Sequence, residues 1–206
     1  MLGNILVTGC NGQLGSEFKN IASKYPDINF FFKDLDLDIS NKEDLENYII
    51  NKNINVILNT AAYTNVSNAE IEKNKADLIN SFAVKNLVEL SEKYNCKLIH
   101  YSTDYVYGGF HKKPIKENSS ITPLNYYGIS KRNGEMFIEK SFSESIIIRT
   151  SWLYSFYGNN FVNTIIEKAK KKSKIHVVND KYGCPTHAKD LALDTINILK
   201  SKLKLD

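Results

Sequence analysis

An α/β fold, a doubly wound parallel sheet, is what this 206-residue sequence predicts, and three observations carry the prediction. Short apolar runs alternate with stretches of helical period along most of the chain. The first run, Ile5 to Val7, leads straight into glycines at 9, 12 and 15, then into Ser16-Glu17-Phe18-Lys19, which can continue as a helix. Later runs end in small or hydroxyl residues, and a parallel sheet gathers ligands beyond the carboxyl ends of its strands.

Strand, glycine-rich turn and helix together bring a pyrophosphate onto a helix N-terminus. In Gly9-Cys10-Asn11-Gly12-Gln13-Leu14-Gly15, Gly9 allows the tight turn, Gly12 lets backbone approach a phosphate, and Gly15 lets the helix pack close to the strand. The spacing is G-x-x-G-x-x-G, not the G-x-G-x-x-G of the standard dinucleotide fingerprint. Three glycines alone also suit an ordinary strand-to-helix turn. Their place directly after the first strand favours nucleotide binding, and the fold is then Rossmann-like.

The first helix runs from about Gln13 to Ser23, and Pro26 ends it. Asn29 to Lys33 is the second strand. Asp34, Asp36 and Asp38 follow it, about 20 residues past the glycine turn, where such folds place an acid on the adenosine ribose. At most one of the three should touch the ribose. An acid there favours NAD over NADP, and Lys33 beside it weakens that preference. Ser40 or Asn41 caps the next helix, with Glu43 and Asp44 in its first turn.

Ile54 to Asn59 is a strand ending in Thr60-Ala61-Ala62-Tyr63-Thr64, small enough for a ligand to come close. The stretch from Ala69 to Tyr94 has helical period. Within it, Asn80 is either a surface residue or a buried amide holding active-site backbone. Lys97 to Tyr101 is a strand running into Ser102-Thr103-Asp104. Residues 108–125 read as a long loop, a length usually tied to function. Ser145 to Arg149 is a strand ending in Thr150-Ser151-Trp152. Asn160 to Lys172 is a helix, Lys174 to Asn179 a short strand, Tyr182 to Thr186 a turn, and Lys189 to Leu203 a final amphipathic helix.

Composition excludes several classes. With 42% hydrophobic residues the chain can bury one good core. A net charge of +4, from 27 basic and 23 acidic residues, is too mild and too scattered for a nucleic-acid partner. The late run Lys168 to Lys174 suits a solvated helix end. No apolar run is long enough to span a bilayer. Three cysteines without metal spacing and the lack of a signal peptide fit a cytoplasmic protein. His100, His111, His176 and His187 form no ligand pattern, so no metal site is expected.

Tyr127 and Lys131 lie four residues apart and share one face of a helix. A free tyrosine has a pKa of about 10. A neighbouring ammonium favours the phenolate and lowers that value, giving a workable proton donor near neutral pH. The lysine can also bond a nicotinamide ribose. Thr103, on the preceding strand, can hydrogen-bond a carbonyl under reduction.

At this point the sequence resembles the extended short-chain dehydrogenase/reductases, and within them the dTDP-4-dehydrorhamnose reductases. The resemblance rests on Gly9 to Gly15, Asn59-Thr60-Ala61-Ala62-Tyr63-Thr64, Tyr101-Ser102-Thr103-Asp104-Tyr105-Val106-Tyr107, Tyr127-Gly128-Ile129-Ser130-Lys131, Arg149-Thr150-Ser151-Trp152, and Asn179-Asp180 with Gly183-Cys184-Pro185-Thr186. It implies reduction of the 4-keto group of a nucleotide-linked deoxysugar, with NADPH or NADH as hydride source. By similarity, Tyr127 is the proton donor, Lys131 holds the ribose and Thr103 tunes the tyrosine and the carbonyl. Gly12, Gln13 and Leu14 would touch the pyrophosphate, and Asp38 and Ile39 the adenosine. Ala61, Ala62, Tyr63 and Tyr101 would line the rest of the cofactor, while Thr103, Asp104 and Trp152 would face the sugar.

The resemblance further implies residues 1–155 as the NAD(P)-binding Rossmann domain, 156–188 as part of a small, incomplete substrate-binding lobe, and 189–206 as a helix returning to the first domain. It admits a homodimer. Two departures stand out. Ser67-Asn68 replaces the family's usual Asp-Lys, and relatives continue well past Asp206. A magnesium site occurs in some relatives. Glu17 fits one ligand position there, but the expectation remains no metal. The shorter end also keeps open a non-catalytic binding protein, similar to the regulatory subunit of methionine adenosyltransferase.

Overall fold

Side chains alternate across β1 (Asn4–Thr8): Ile5 and Val7 point to one face of the sheet, Leu6 to the other, and all three are fully buried. A strand covered on both faces belongs inside a layered α/β structure. The computed structural model describes residues 3–109, 113–171 and 173–201. After β1 come α1 (Gln13–Ile21), β2 (Asn29–Phe32), α2 (Lys42–Asn51), β3 (Ile54–Asn59), α3 (Val66–Ala69), α4 (Lys73–Asp77) and α5 (Ala83–Tyr94). Then follow β4 (Lys97–Thr103), α6 (Tyr126–Glu139), β5 (Ser145–Thr150), β6 (Leu153–Tyr154), α7 (Phe161–Lys171), β7 (Thr186–His187) and α8 (Ala188–Lys200).

The main sheet is parallel throughout, in the order β2-β1-β3-β4-β5. One face packs Leu6, Ile57 and Leu98 under α2, α5 and Ile138 of α6. The other packs Ile5, Val7, Val56, Leu58 and Ile99 under Phe18 and Ile21 of α1 and Ala188, Ala192 and Ile196 of α8. The expected doubly wound, Rossmann-like architecture is therefore found. The winding reverses between β1 and β3, and such a switch point is where ligands settle in these sheets. The two loops that meet there nearly touch: a Cβ on Gly9 would stand 2.6 Å from the Ala61 Cα.

Asparagines open three of the helices. Asn41, Asn65 and Asn125 cap α2, α3 and α6, each accepting the N–H three residues on. Of the two expected caps for α2, Asn41 is the one used. α8 lies against α1, and the Tyr101 hydroxyl meets the Thr195 hydroxyl of α8 at 2.9 Å.

Some elements differ from expectation. The helical stretch over Ala69 to Tyr94 is not one helix. It breaks after α3, and between α4 and α5 a π-helical turn occupies Leu78–Phe82. Lys174 to Asn179 forms no strand. Its Val177 and Val178 are exposed, and no neighbouring strand offers it hydrogen bonds. The small second sheet instead pairs Leu153–Tyr154 with Thr186–His187, two dipeptides too short for a periodic signal. Tyr182 to Cys184 runs irregularly into β7 rather than turning. The last residues of the expected final helix, beyond 201, and Lys172 lie outside the described residues.

Candidate active site

Gly9 leaves β1 with φ +61°, a left-handed conformation that a side chain would strain. Gly12 N–H donates to the Gly9 carbonyl at 3.0 Å, closing the turn, and α1 begins immediately after. A Cβ on Gly15 would lie 2.5 Å from the Cys10 Cα, so the helix packs against the turn as close as backbone allows. No side chain caps α1. Its first-turn N–H groups therefore stand open to an anion at the positive end of the helix. Leu14 is buried in the core, and the Gln13 side chain accepts from Asn160 Nδ2 at 3.0 Å. What Leu14 offers a phosphate is therefore backbone.

The three aspartates after β2 have different tasks. Asp34 accepts from the Asn11 N–H at 2.8 Å and pins the glycine turn. Asp36 pairs with Lys33 at 2.5 Å, which lowers its pKa and raises that of the lysine. Asp38 accepts from both the N–H and the hydroxyl of Ser40, at 2.8 Å each. Ile39 sits in the core, so only its backbone is free to meet a ligand.

Across the switch point, Thr60 ties the second loop to the first by donating to the Thr8 carbonyl at 2.5 Å. Ala61 and Ala62 are half-buried. Asn80, 1% exposed and within the π-helical turn, accepts from the Tyr63 N–H at 2.9 Å and donates to the Tyr63 carbonyl at 3.0 Å and the Ser130 hydroxyl at 3.0 Å. Of its two expected roles it has the buried one. The Tyr63 phenol donates to Glu72 at 2.5 Å, and that bond pushes its pKa up to about 12. Tyr101 is buried with its hydroxyl on α8, so its carbonyl is the part that reaches the site.

Thr103 ends β4 at 6% exposure, and its hydroxyl donates to Asp104 at 3.2 Å. Burial raises the Asp104 pKa, and the Thr103 bond opposes that shift. Tyr127, in the first turn of α6, stacks edge-on against Tyr105 with ring centroids 5.7 Å apart. Its pKa is not lowered as expected. Burial pushes it up to about 12, the Thr103 hydroxyl draws it back part way, and Asp104 and Tyr105 add to the rise. The physical reason is where the ammonium goes. Lys131 Nζ donates to the Tyr101 carbonyl at 2.7 Å and lies 3.1 Å from His100 Nε2. Lys131 is itself 2% exposed, and burial brings its pKa down to about 8.

Trp152 has φ +46° and is 46% exposed, so core packing is not its role. Its indole lies against Gly183, where a Cβ would come within 2.6 Å of the ring. Backbone strain at a half-exposed aromatic residue points to a site rather than to a core.

Two buried groups have no role assigned from the sequence. His100 is fully buried between Asn59 and Lys131. Glu135, 0% exposed on α6, takes two bonds of 2.8 Å from Arg149 of β5. Burial, the largest single influence, would raise the Glu135 pKa, but Arg149, Ser102 and Arg132 together hold the carboxylate low. Glu135 lies one turn beyond Lys131, and that i, i+4 spacing was the available signal.

A family model described as RmlD substrate binding domain matches residues 3–205. The dTDP-4-dehydrorhamnose reductase of Aggregatibacter actinomycetemcomitans is 38% identical over 200 residues, 96% of this chain and 67% of the relative. The crystal structure of a dTDP-4-dehydrorhamnose reductase from Clostridium acetobutylicum superposes with a TM-score of 0.91 at 36% identity, over 95% of this chain and 70% of that one. The enzyme of the same name from Bacillus anthracis, solved in complex with NADP, gives a TM-score of 0.91 at 35% identity, over 97% and 72%. The chain thus spans about two thirds of the length of the curated relatives it matches.

Proposed function

The chain belongs to the RmlD substrate-binding-domain family, and on that premise we propose that it is an NAD(P)-dependent reductase of the 4-keto group of a dTDP-4-dehydro-6-deoxy-sugar, yielding the dTDP-L-rhamnose type of product. The observation that carries the reading is the joint presence of a glycine turn with an uncapped helix start, the buried Thr103 and Lys131, and the half-buried Tyr127.

The residues fit a dinucleotide. The φ of Gly9, the open first turn of α1 and the small Ala61 and Ala62 leave a backbone-lined cradle, and backbone N–H groups at a helix start suit a pyrophosphate. Gly12, Gln13, Leu14 and Gly15 would hold the pyrophosphate, and Asp38 with the Ile39 backbone the adenosine. Lys131 would hold the ribose. When bound, the reduced nicotinamide supplies the hydride.

The rest is this chain's chemistry. A phenol with a pKa near 12 is protonated at neutral pH and holds its proton until it is needed. An oxygen gaining negative charge at C4 becomes far more basic, approaching alkoxide strength and so exceeding a phenolate. Proton transfer from Tyr127 to that oxygen then runs downhill. Thr103 donates to the same oxygen and to Asp104 by turns, and Trp152 offers a flat face to the pyranose. Tyr127 is therefore the general acid, Thr103 the orienting donor and Lys131 the cofactor anchor.

The test is NADPH oxidation with a dTDP-4-keto-6-deoxysugar. Native protein turns over; Tyr127→Phe loses roughly 10²-fold or more in kcat while keeping NADPH affinity. A native chain that binds NADPH but never consumes it with the sugar would return the non-catalytic reading.

A further inference from the structure

His100 is wholly buried in the middle of β4, and no step above uses it. It sits in a row of polar side chains that crosses the sheet. Thr8 on β1 pairs in register with Asn59 on β3, and Asn59 with His100 on β4. Thr8 Oγ1 is 2.8 Å from Asn59 Oδ1, Asn59 Nδ2 is 2.9 Å from His100 Nδ1, and His100 Nε2 is 3.1 Å from Lys131 Nζ. Parallel register thus delivers a hydrogen-bonded wire to the lysine at its end.

We propose that His100 is the positioning residue of Lys131: a neutral imidazole protonated on Nδ1, which accepts the lysine ammonium through Nε2 and so aims its remaining N–H at the cofactor. The proposal rests on the anchoring role given to Lys131 above.

The charged end of the row sets its direction. An ammonium carries three donors and no acceptor. One N–H goes to the Tyr101 carbonyl. The second meets Nε2, which must then present a lone pair. The ring proton is forced onto Nδ1, and Nδ1 needs an acceptor from Asn59. The opposite direction, with Asn59 Nδ2 donating to Nδ1, would set Nε2–H against the ammonium, two donors 3.1 Å apart. A half-turn of the Asn59 amide exchanges its oxygen and nitrogen without changing its outline. Oδ1 then faces the ring, and Nδ2 faces the Thr8 hydroxyl, which can accept. Among the described residues, these two partners leave the third ammonium N–H for a ribose hydroxyl.

The charged and titratable groups facing Lys131 are few. His100 comes from β4, and Glu135 comes from α6, already held by Arg149 of β5 and Arg132 of α6. Burial lowers the lysine, Glu135 opposes that, and burial together with the lysine keeps the imidazole neutral. Removing the ring acceptor would lower the lysine further.

The direct test is the tautomer of His100 in the native chain. Protein labelled with ¹⁵N-histidine is read by long-range ¹⁵N–¹H correlation, and the His100 ring is assigned by its loss in His100→Gln. The expected result is a protonated Nδ1 and an unprotonated Nε2, unchanged from about pH 6 to 8, where an ordinary imidazole would titrate. A ring protonated on Nε2, or on both nitrogens, overturns the proposal whether or not the chain turns over sugar. The second test is the alkaline limb of kcat/KM. His100→Gln, whose amide oxygen can stand where Nε2 does, keeps the native limb. His100→Leu moves it to lower pH by about one unit, a tenfold change in the protonation equilibrium. A native limb in His100→Leu also overturns it. Native protein that never oxidises NADPH would sink the proposed function instead, and the tautomer would still decide this one.

Discussion

Lys131 is a cation sealed in the protein, and its cost can be measured. Its pKa, 10.5 in water, falls to about 8 on burial. Between those values the unfolded chain holds a proton that the folded chain has released. Stability therefore rises with pH across that window, and the penalty of burying the charge is fully present below about pH 8. Relative to Lys131→Met, the native protein should gain up to about 1.4 kcal/mol per pH unit there. Urea unfolding of both proteins from pH 7 to 10 measures it; parallel curves would mean the amine is hydrated. That Tyr127 and Lys131 share a helix face was legible from their i, i+4 spacing. The placement of the amine was not legible. Its partners are a carbonyl on the strand that ends 28 residues before Lys131 and a histidine whose neighbours lie 41 and 31 positions away.

At the scale of elements, loops carry the candidate site and helices hold the loops. The π-helical turn at Leu78–Phe82 adds a residue to its turn and brings Asn80 inward. From there one amide satisfies both backbone groups of Tyr63 and the Ser130 hydroxyl of α6. Asn80→Ala would take the partner from the half-buried N–H and carbonyl of Tyr63, at about 1–3 kcal/mol, while the Ser130 hydroxyl keeps its bond to the Tyr127 carbonyl. A lowered urea midpoint together with weaker NADPH binding is the expected outcome, since the Ala61–Tyr63 loop loses its tether. A helical period over Ala69 to Tyr94 was plain in the sequence, but the bulge within it was not. Backbone hydrogen bonds shifted by one residue leave no trace in hydrophobic spacing. Lys174 to Asn179 teaches the converse: strand-like residues make no strand without a neighbour to pair with.

Over the whole molecule, the two apolar layers hold the sheet, and a buried ion pair fixes α6 to β5. Arg149 also donates to the Tyr107 hydroxyl at 2.7 Å and the Glu117 carbonyl at 3.1 Å, so the pair anchors part of the 108–125 loop as well. Arg149→Met leaves the Glu135 charge buried with only Arg132 beside it, at about 3 kcal/mol. Glu135→Met with Arg149→Met should recover most of that, because a buried pair is often replaceable by packed apolar groups. Chemical denaturation of the two variants tests this. The folded pKa of Glu135 lies below 4.5, so the pair's contribution is complete above that pH and lost as pH falls further. No helix among the described residues is long and apolar enough to cross a membrane.

The sequence by itself determined the layered α/β plan, the glycine turn after the first strand and the shared helix face of Tyr127 and Lys131, because each is written in spacings between residues close along the chain. Only the tertiary structure decided that Tyr127 is held protonated, that Lys131 turns to Tyr101 and His100, and that Thr8, Asn59 and His100 stand in one row. Those outcomes depend on strand register and desolvation, which arise when distant segments pack and exclude water.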